Sequence, residues 1–266
     1  IKSLEIIGCV MNSHQSNIYN LMDNSGDQGR FGSFLLHGLM ASNIVFPDTQ
    51  ERNNNSDITP SNLIGNIGFK KIFQKTKTKG LASYKIKNSE HQDIFSMEKL
   101  KMYSCKISTI INNIKDSEGV IFIYSKYINS GVVPLAMALE YNGYSNYKQN
   151  ILEGETKEKN GLKYMIISGT PELGKNTYDD YLKIESKNKD GKQIKVILGT
   201  ETAAEGLDFK NIREVHILDP WYHLNKLEQI FGRAIRYCSH TELPVEKRNV
   251  VIYLYAAIKT LKPNKE

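Results

Sequence analysis

The sequence predicts an α/β fold: a parallel sheet with helices on both faces, preceded by a partly helical N-terminal segment that carries a loop-rich basic insertion. Three observations predict it. From residue 100 to 258, short apolar runs of strand type alternate with helical spacings, the pattern that right-handed crossovers between parallel strands require. Ser125, Ser168, Gly169, Gly199, Thr200 and Asp219 stand just after those runs, at the carboxyl ends where open parallel sheets collect their ligands. Between Asp48 and about Glu90 the periodicity breaks down.

At the N-terminus a short apolar run leads to Ser13, a helix N-cap ahead of Gln15 to Met22, and a second helical spacing covers Phe31 to Ala41 before Pro47. Arg52-Asn-Asn-Asn-Ser56, Thr59-Pro60, Gly65 and Gly68 then mark loop. Lys70, Lys71, Lys75, Lys77, Lys79, Lys85 and Lys87 follow with no acidic residue among them. They read either as a solvated loop or as a contact to a phosphate backbone. The stripe Ile107, Ile110, Ile111, Ile114 places a helix ahead of Gly119. Strands are expected at Val120 to Tyr124, Lys163 to Ile167, Val196 to Leu198, Val215 to Leu218 and Val250 to Tyr255. Helices are expected from Gly131 to Tyr141 and Asn176 to Ser186, with a turn at Asn188 to Gly191.

A chain of 266 residues with 40% hydrophobic content can bury a sizeable core, and its formal charge of +6 suits an anionic partner. No stretch approaches a membrane span. Cys9, Cys105 and Cys238 have no paired spacing, so a reducing, intracellular setting is expected, and Cys238 with His240 falls short of a metal ligand set. Because Ile1 starts in mid-element, the chain reads as a piece of something longer.

The segment from Val196 to Arg236 carries the chemistry. On a helix from His223 to Arg236, Gln229, Arg233 and Arg236 fall within about 60° of one another. Leu224, Leu227, Phe231, Ala234 and Ile235 lie on roughly the opposite side, so the helix packs by one face and offers two arginines from the other. Guanidinium groups so placed can fork onto phosphate oxygens.

Gly199-Thr200, Gly206-Leu-Asp208 and Gln229-x-x-Gly232-Arg233-x-x-Arg236 resemble motifs V and VI of superfamily 2 helicases and translocases. Phe122 to Ser125 resembles motif IV, and Ile167-Ser-Gly169 stands in the place of the short motif after it. Asp219-Pro-Trp-Tyr222 is similar to a segment of Swi/Snf-type translocases. Cys238-Ser-His240, Leu243-Pro244 and Lys247-Arg-Asn249 resemble the helicase-like ATPases of large nucleocytoplasmic DNA viruses, which include the early transcription factor small subunit and a nucleoside triphosphate phosphohydrolase.

The resemblance implies a RecA-like helicase C-terminal domain over 100–266, after an N-terminal helical segment and basic connector over 1–99. It implies ATP and Mg2+, held mainly by a first lobe. No Gly-x-x-x-x-Gly-Lys-Ser/Thr is present, and the nearest fragment, Leu173-Gly174-Lys175-Asn176, lacks the first glycine and the hydroxyl. Arg233, Arg236 and Gln229 match the positions that complete catalysis across the cleft. Gly206 and Asp208 match those that approach the nucleotide, and Ser125, Ser168, Gly169, Gly199 and Thr200 those that hold a nucleic-acid backbone. Glu205 departs from the Arg common at that place in RNA-dependent relatives, and Trp221 reads as packing material. The implied partners are nucleic acid, with DNA preferred to RNA, the N-terminal lobe, and viral RNA polymerase or a second transcription-factor subunit, without a membrane. The implied setting is a virion or a cytoplasmic viral factory. The alternative is a degenerate RecA-like module that binds nucleic acid or polymerase without hydrolysing ATP, although such a scaffold has no need of the arginine pair or Asp208.

Overall fold

Along the central strand of the sheet, Val120, Phe122 and Tyr124 are buried against one core and Ile121 and Ile123 against another. Side chains alternate across a strand, so a five-residue run of large apolar groups is stable only where both faces are covered, as in a parallel sheet between helices. The computed structural model describes residues 1–24, 31–49, 59–78, 80–154, 160–174, 176–204, 207–220, 224–236 and 238–259. Arg52 to Ser56, Lys79, Lys175, Glu205, Gly206, Trp221, Tyr222 and His223, named in the sequence reading, lie outside the described residues.

In chain order the elements are β1 (Ser3–Val10), α1 (Ser13–Asn24), α2 (Phe31–Asn43), α3 (Gly65–Ile72), β2 (Phe73–Thr78), β3 (Leu81–Ile86), α4 (Met97–Tyr103), α5 (Cys105–Asn113), β4 (Val120–Tyr124) and α6 (Val133–Tyr141). They continue as β5 (Ser145–Asn146), β6 (Lys163–Ile167), α7 (Pro171–Gly174), α8 (Thr177–Ile184), β7 (Val196–Gly199), α9 (Glu201–Ala204), β8 (Ile212–Ile217), α10 (Leu224–Ala234) and β9 (Val251–Ile258). The sheet has the order β1-β9-β8-β4-β7-β6-β5, with every pairing parallel. Helices α5 and α6 cover one face, while α8 and α10 cover the other.

Two findings differ from the sequence reading. The apolar run at the N-terminus is strand β1, paired along its whole length with β9, so the sheet runs across the boundary expected at residue 99. The lysine-rich stretch expected as loop is helix α3 followed by the antiparallel hairpin β2–β3. Its strands alternate lysine with threonine on β2, so they carry no apolar period for the eye to find, while Phe73, Ala82 and Tyr84 supply the buried side.

The N-terminal helices are tied to the sheet by buried polar groups. Gln15, fully buried, donates through Nε2 to the carbonyls of Ala41 (2.9 Å) and Ser42 (3.2 Å) and accepts at Oε1 from the Cys105 amide (3.0 Å). One side chain thereby satisfies the last carbonyls of α2 and the first amide of α5, groups that a buried helix end cannot leave unpaired.

Glu140 does similar work at the far end of α6. Its carboxyl accepts from the amides of Ile151 (2.8 Å) and Leu152 (2.7 Å) and from Tyr164 Oη (2.5 Å), which fixes the segment after β5. Burial pushes its pKa up to about 7, against the pull of those donors. A folded-state value above the unfolded one means that the folded chain keeps a proton which the unfolded chain has already released. Stability is therefore expected to fall by on the order of 3 kcal/mol as pH rises from about 4.5 to about 7. Urea midpoints at pH 5 and pH 8 should differ in the wild type by more than in Glu140→Gln. Equal differences would contradict the assignment.

Candidate nucleotide and nucleic-acid edge

Parallel register brings the carboxyl ends of β8, β4, β7 and β6 side by side. Tyr124 lies opposite both Gly199 and Ile217, and Gly199 opposite Ile167. The chain leaves these strands through Asp219, Ser125, Thr200 and Ser168, and backbone bonds continue the ladder one step past the strand ends, from Ser125 N to Gly199 O (3.1 Å) and from Thr200 N to Ile167 O (3.2 Å). Five of the predicted residues therefore sit along one edge.

They are not equivalent. Ser125 is 1% exposed, and its hydroxyl donates to Asp219 Oδ1 while accepting from the Tyr127 amide (3.2 Å). Expected at the nucleic-acid surface, it is turned inward by a carboxylate. A Cβ on Gly131 would lie 2.0 Å from Ser125 Oγ, so the start of the following helix approaches as closely as only glycine allows. Gly199 and Thr200 are also buried. Ser168 is half-buried, with its hydroxyl accepting from the Thr170 amide (3.2 Å), and Gly169 is exposed next to Thr202 Oγ1. The open part of this edge is the turn from Ser168 to Thr170.

Asp219 organises the buried part. It is 4% exposed and accepts from Ser125, from the Lys126 amide (2.8 Å) and from Asn43 Nδ2 (3.3 Å). Asn43 in turn accepts at Oδ1 from Lys106 Nζ (3.3 Å), which also donates to Ser42 Oγ (3.0 Å) and to the Leu218 carbonyl (3.0 Å). Burial pushes the Asp219 carboxyl up and the Lys106 amine down, and each charge favours the ionised form of the other. Sequence reasoning placed Asp219 at the ligand edge and missed Lys106 and Asn43. The available signal was a lysine directly preceding the isoleucine stripe of α5.

On the neighbouring face, α10 packs through Leu227 and Ile230, with Phe231 and Ile235 partly buried. The opposite side carries Gln229, exposed, and Arg233, half-buried; α10 ends at Ala234, so Arg236, exposed, lies two residues beyond the helix that was expected to reach it. Arg236 Nη1 meets Asp208 Oδ2 at 2.6 Å, with side-chain exposures of 46% and 51%. The backbone of Asp208 is clamped by Tyr178 Oη, which donates to its carbonyl (2.9 Å) and accepts from its amide (3.0 Å). The Phe209 amide donates to the Arg233 carbonyl (3.2 Å), tying the end of α10 to this loop. The structure thus brings Asp208 to Arg236 and Arg233, leaves Gln229 on the outer side of α10, and says nothing of Gly206. Among the described residues, no group of three His, Cys, Asp or Glu side chains could hold a metal ion.

Residues 105–238 match the helicase conserved C-terminal domain family. The chain belongs to that family. The matched span contains every residue assigned above to the two ligands. A protein of Acanthamoeba polyphaga mimivirus named for an ATP-dependent RNA helicase is 32% identical over 208 residues, covering 77% of this chain and 34% of that protein. Nucleoside triphosphatase I of Melanoplus sanguinipes entomopoxvirus is 27% identical over 264 residues, 93% of this chain and 37% of that protein. A termination factor NPH-I homolog of African swine fever virus is 32% identical over 187 residues, 60% of this chain and 26% of that protein. The chain spans about a third of the length of the first two relatives. The C-terminal part of the Fun30 ATPase domain shares the fold, at a TM-score of 0.54 and 15% identity over 97% of this chain and 85% of that one. The parallel sheet with helices on both faces is the RecA-like α/β fold.

Removing one member of a buried charge pair leaves the other unpaired, which costs about 3–5 kcal/mol. Lys106→Met is expected to lose stability in that range by urea denaturation. Adding Asp219→Asn should recover part of the loss, because the stranded charge disappears. Additive losses would contradict the coupling.

Proposed function

We propose that this domain is the second lobe of a nucleic-acid-dependent ATPase, supplying an arginine finger to a nucleotide held by a first lobe and gripping a nucleic-acid backbone at its strand ends. The observation that carries this reading is the Arg236–Asp208 pair, exposed, with Asp208 held by Tyr178 and its loop tied to α10 through the Phe209–Arg233 bond. An exposed ion pair is worth about 0.2–1 kcal/mol, so a phosphate group can take Arg236 from Asp208 at little cost. The guanidinium then offsets charge growing on the transferred phosphoryl group, and the freed carboxylate can accept from a ribose hydroxyl. Arg233 and Gln229 lie on the outer side of α10, next in line along the chain.

ATP and Mg2+ belong chiefly to the first lobe, since this sequence carries no P-loop. Closing and opening of the two lobes would step the protein along the backbone. The relative named as a termination factor supports a place in viral transcription. The likeness of Asp219-Pro-Trp-Tyr222 to a segment of Swi/Snf-type translocases is the ground for expecting duplex DNA, and the relative named for an RNA helicase makes RNA the comparison to run.

In the full-length parent, Arg236→Ala is expected to lower the nucleic-acid-stimulated ATPase rate about 10³-fold or more while leaving the thermal unfolding transition in place. Stimulation should be greatest with duplex DNA, less with single strands and with RNA. A variant that keeps the wild-type rate would overturn the arginine-finger role.

A further inference from the structure

The lysine-rich stretch, open between a solvated loop and a phosphate contact in the sequence, has a definite place in the fold. Along β2, Lys75 and Lys77 share a face with Phe73, and across the hairpin they stand opposite Tyr84 and Ala82. Phe73, Ala82 and Tyr84 are buried, so this face packs inward and its two lysine heads emerge at the border, 47% and 61% exposed. The border is α7, the single helical turn that follows Ser168 to Thr170 directly.

Both ammonium groups converge on one carboxylate, Glu172 of α7; the Lys77 pair is 2.5 Å long. Hydrogen bonds from Lys75 and Lys77 hold the Glu172 carboxyl down at about 2. A cleft of about 240 Å³ lies between the hairpin and the strand-end turn; Asn66, Lys70, Lys75, Asn129, Thr170 and Glu172 line it together with an equal number of apolar and aromatic side chains. Two lysines thus face one acidic group, with Lys70 on the same cleft, beside the open Ser168–Thr170 turn. Two ammonium groups on one carboxylate leave positive charge in excess there, and a phosphodiester chain leaving the Ser168–Thr170 turn would bring further anionic groups to it.

We propose that the β2–β3 hairpin is a second backbone-binding element, on which Lys75 and Lys77 exchange Glu172 for phosphates of a strand that continues from the Ser168–Thr170 turn. Glu172 acts as a resident competitor that keeps the lysines ordered when no strand is bound. The exchange is cheap because exposed ion pairs contribute little, and it gains from the release of counterions condensed on the nucleic acid. Contacts of this kind fix position and read no sequence. The inference rests on the proposal that this edge takes nucleic acid.

The test is binding of the 266-residue chain to fluorescently labelled duplex and single-stranded DNA of mixed sequence over a range of salt concentrations. In Lys75→Gln/Lys77→Gln the affinity should drop at low salt, and the slope of log affinity against log salt should shrink by roughly 1.5. Glu172→Gln should bind several-fold tighter than the wild type. A control, Lys115→Gln/Lys187→Gln, removes the same charge near the amino ends of β4 and β7 and should leave the slope unchanged. If the hairpin pair behaves like the control, or if Glu172→Gln weakens binding, the hairpin inference fails and the strand-end reading stands. Absence of salt-dependent binding by the wild type would overturn both.

Discussion

The buried link from Lys106 through Asn43 to Asp219 is the constraint on which the ligand edge depends. Two opposite charges, 3% and 4% exposed, are held apart by an amide that bonds to both, and each would be costly alone. The link joins three parts of the chain: the end of α2, the start of α5 and the exit of β8. Through Asp219 it also fixes Ser125 and the Lys126 amide at the exit of β4. The shape of the edge is thus set from beneath, by groups that touch no ligand.

This arrangement divides the work between buried and exposed polar residues. Ser125 and Thr200 are interior groups that define where the strands end, while the Ser168–Thr170 turn, Asp208 and Arg236 are accessible. Burial makes the first set rigid. Exposure makes the second set exchangeable, since the pairs Arg236–Asp208 and Lys77–Glu172 are screened by water and yield readily to a phosphate.

Much of this was legible in the sequence because it is local. Val120 to Tyr124 and Lys163 to Ile167 are the observed strands β4 and β6 with the same limits, since a continuous apolar run bounded by polar residues has few other uses. The exposed side of α10 with Gln229 and Arg233 follows from helical spacing, but the spacing runs on through Arg236 while the helix stops at Ala234. What escaped is non-local or lacks an apolar period. Strand β1 pairs with β9 almost 250 residues later in the chain, and nothing inside Ser3–Val10 announces that partner. The hairpin strand β2 alternates lysine with threonine, a pattern shared with loops. Ser125 looks like a surface ligand until its carboxylate partner, 94 residues away, is placed beside it.

The central claim is that Arg236 is stored on Asp208 and delivered to a nucleotide held by another lobe. A crystal structure of the full-length parent with a non-hydrolysable ATP analogue bound between closed lobes tests it most directly. The account predicts that the Arg236 guanidinium leaves Asp208 and lies within hydrogen-bond distance, about 2.7–2.9 Å, of a terminal phosphate oxygen. A closed, nucleotide-bound structure in which Arg236 still pairs with Asp208, far from the phosphates, would contradict it.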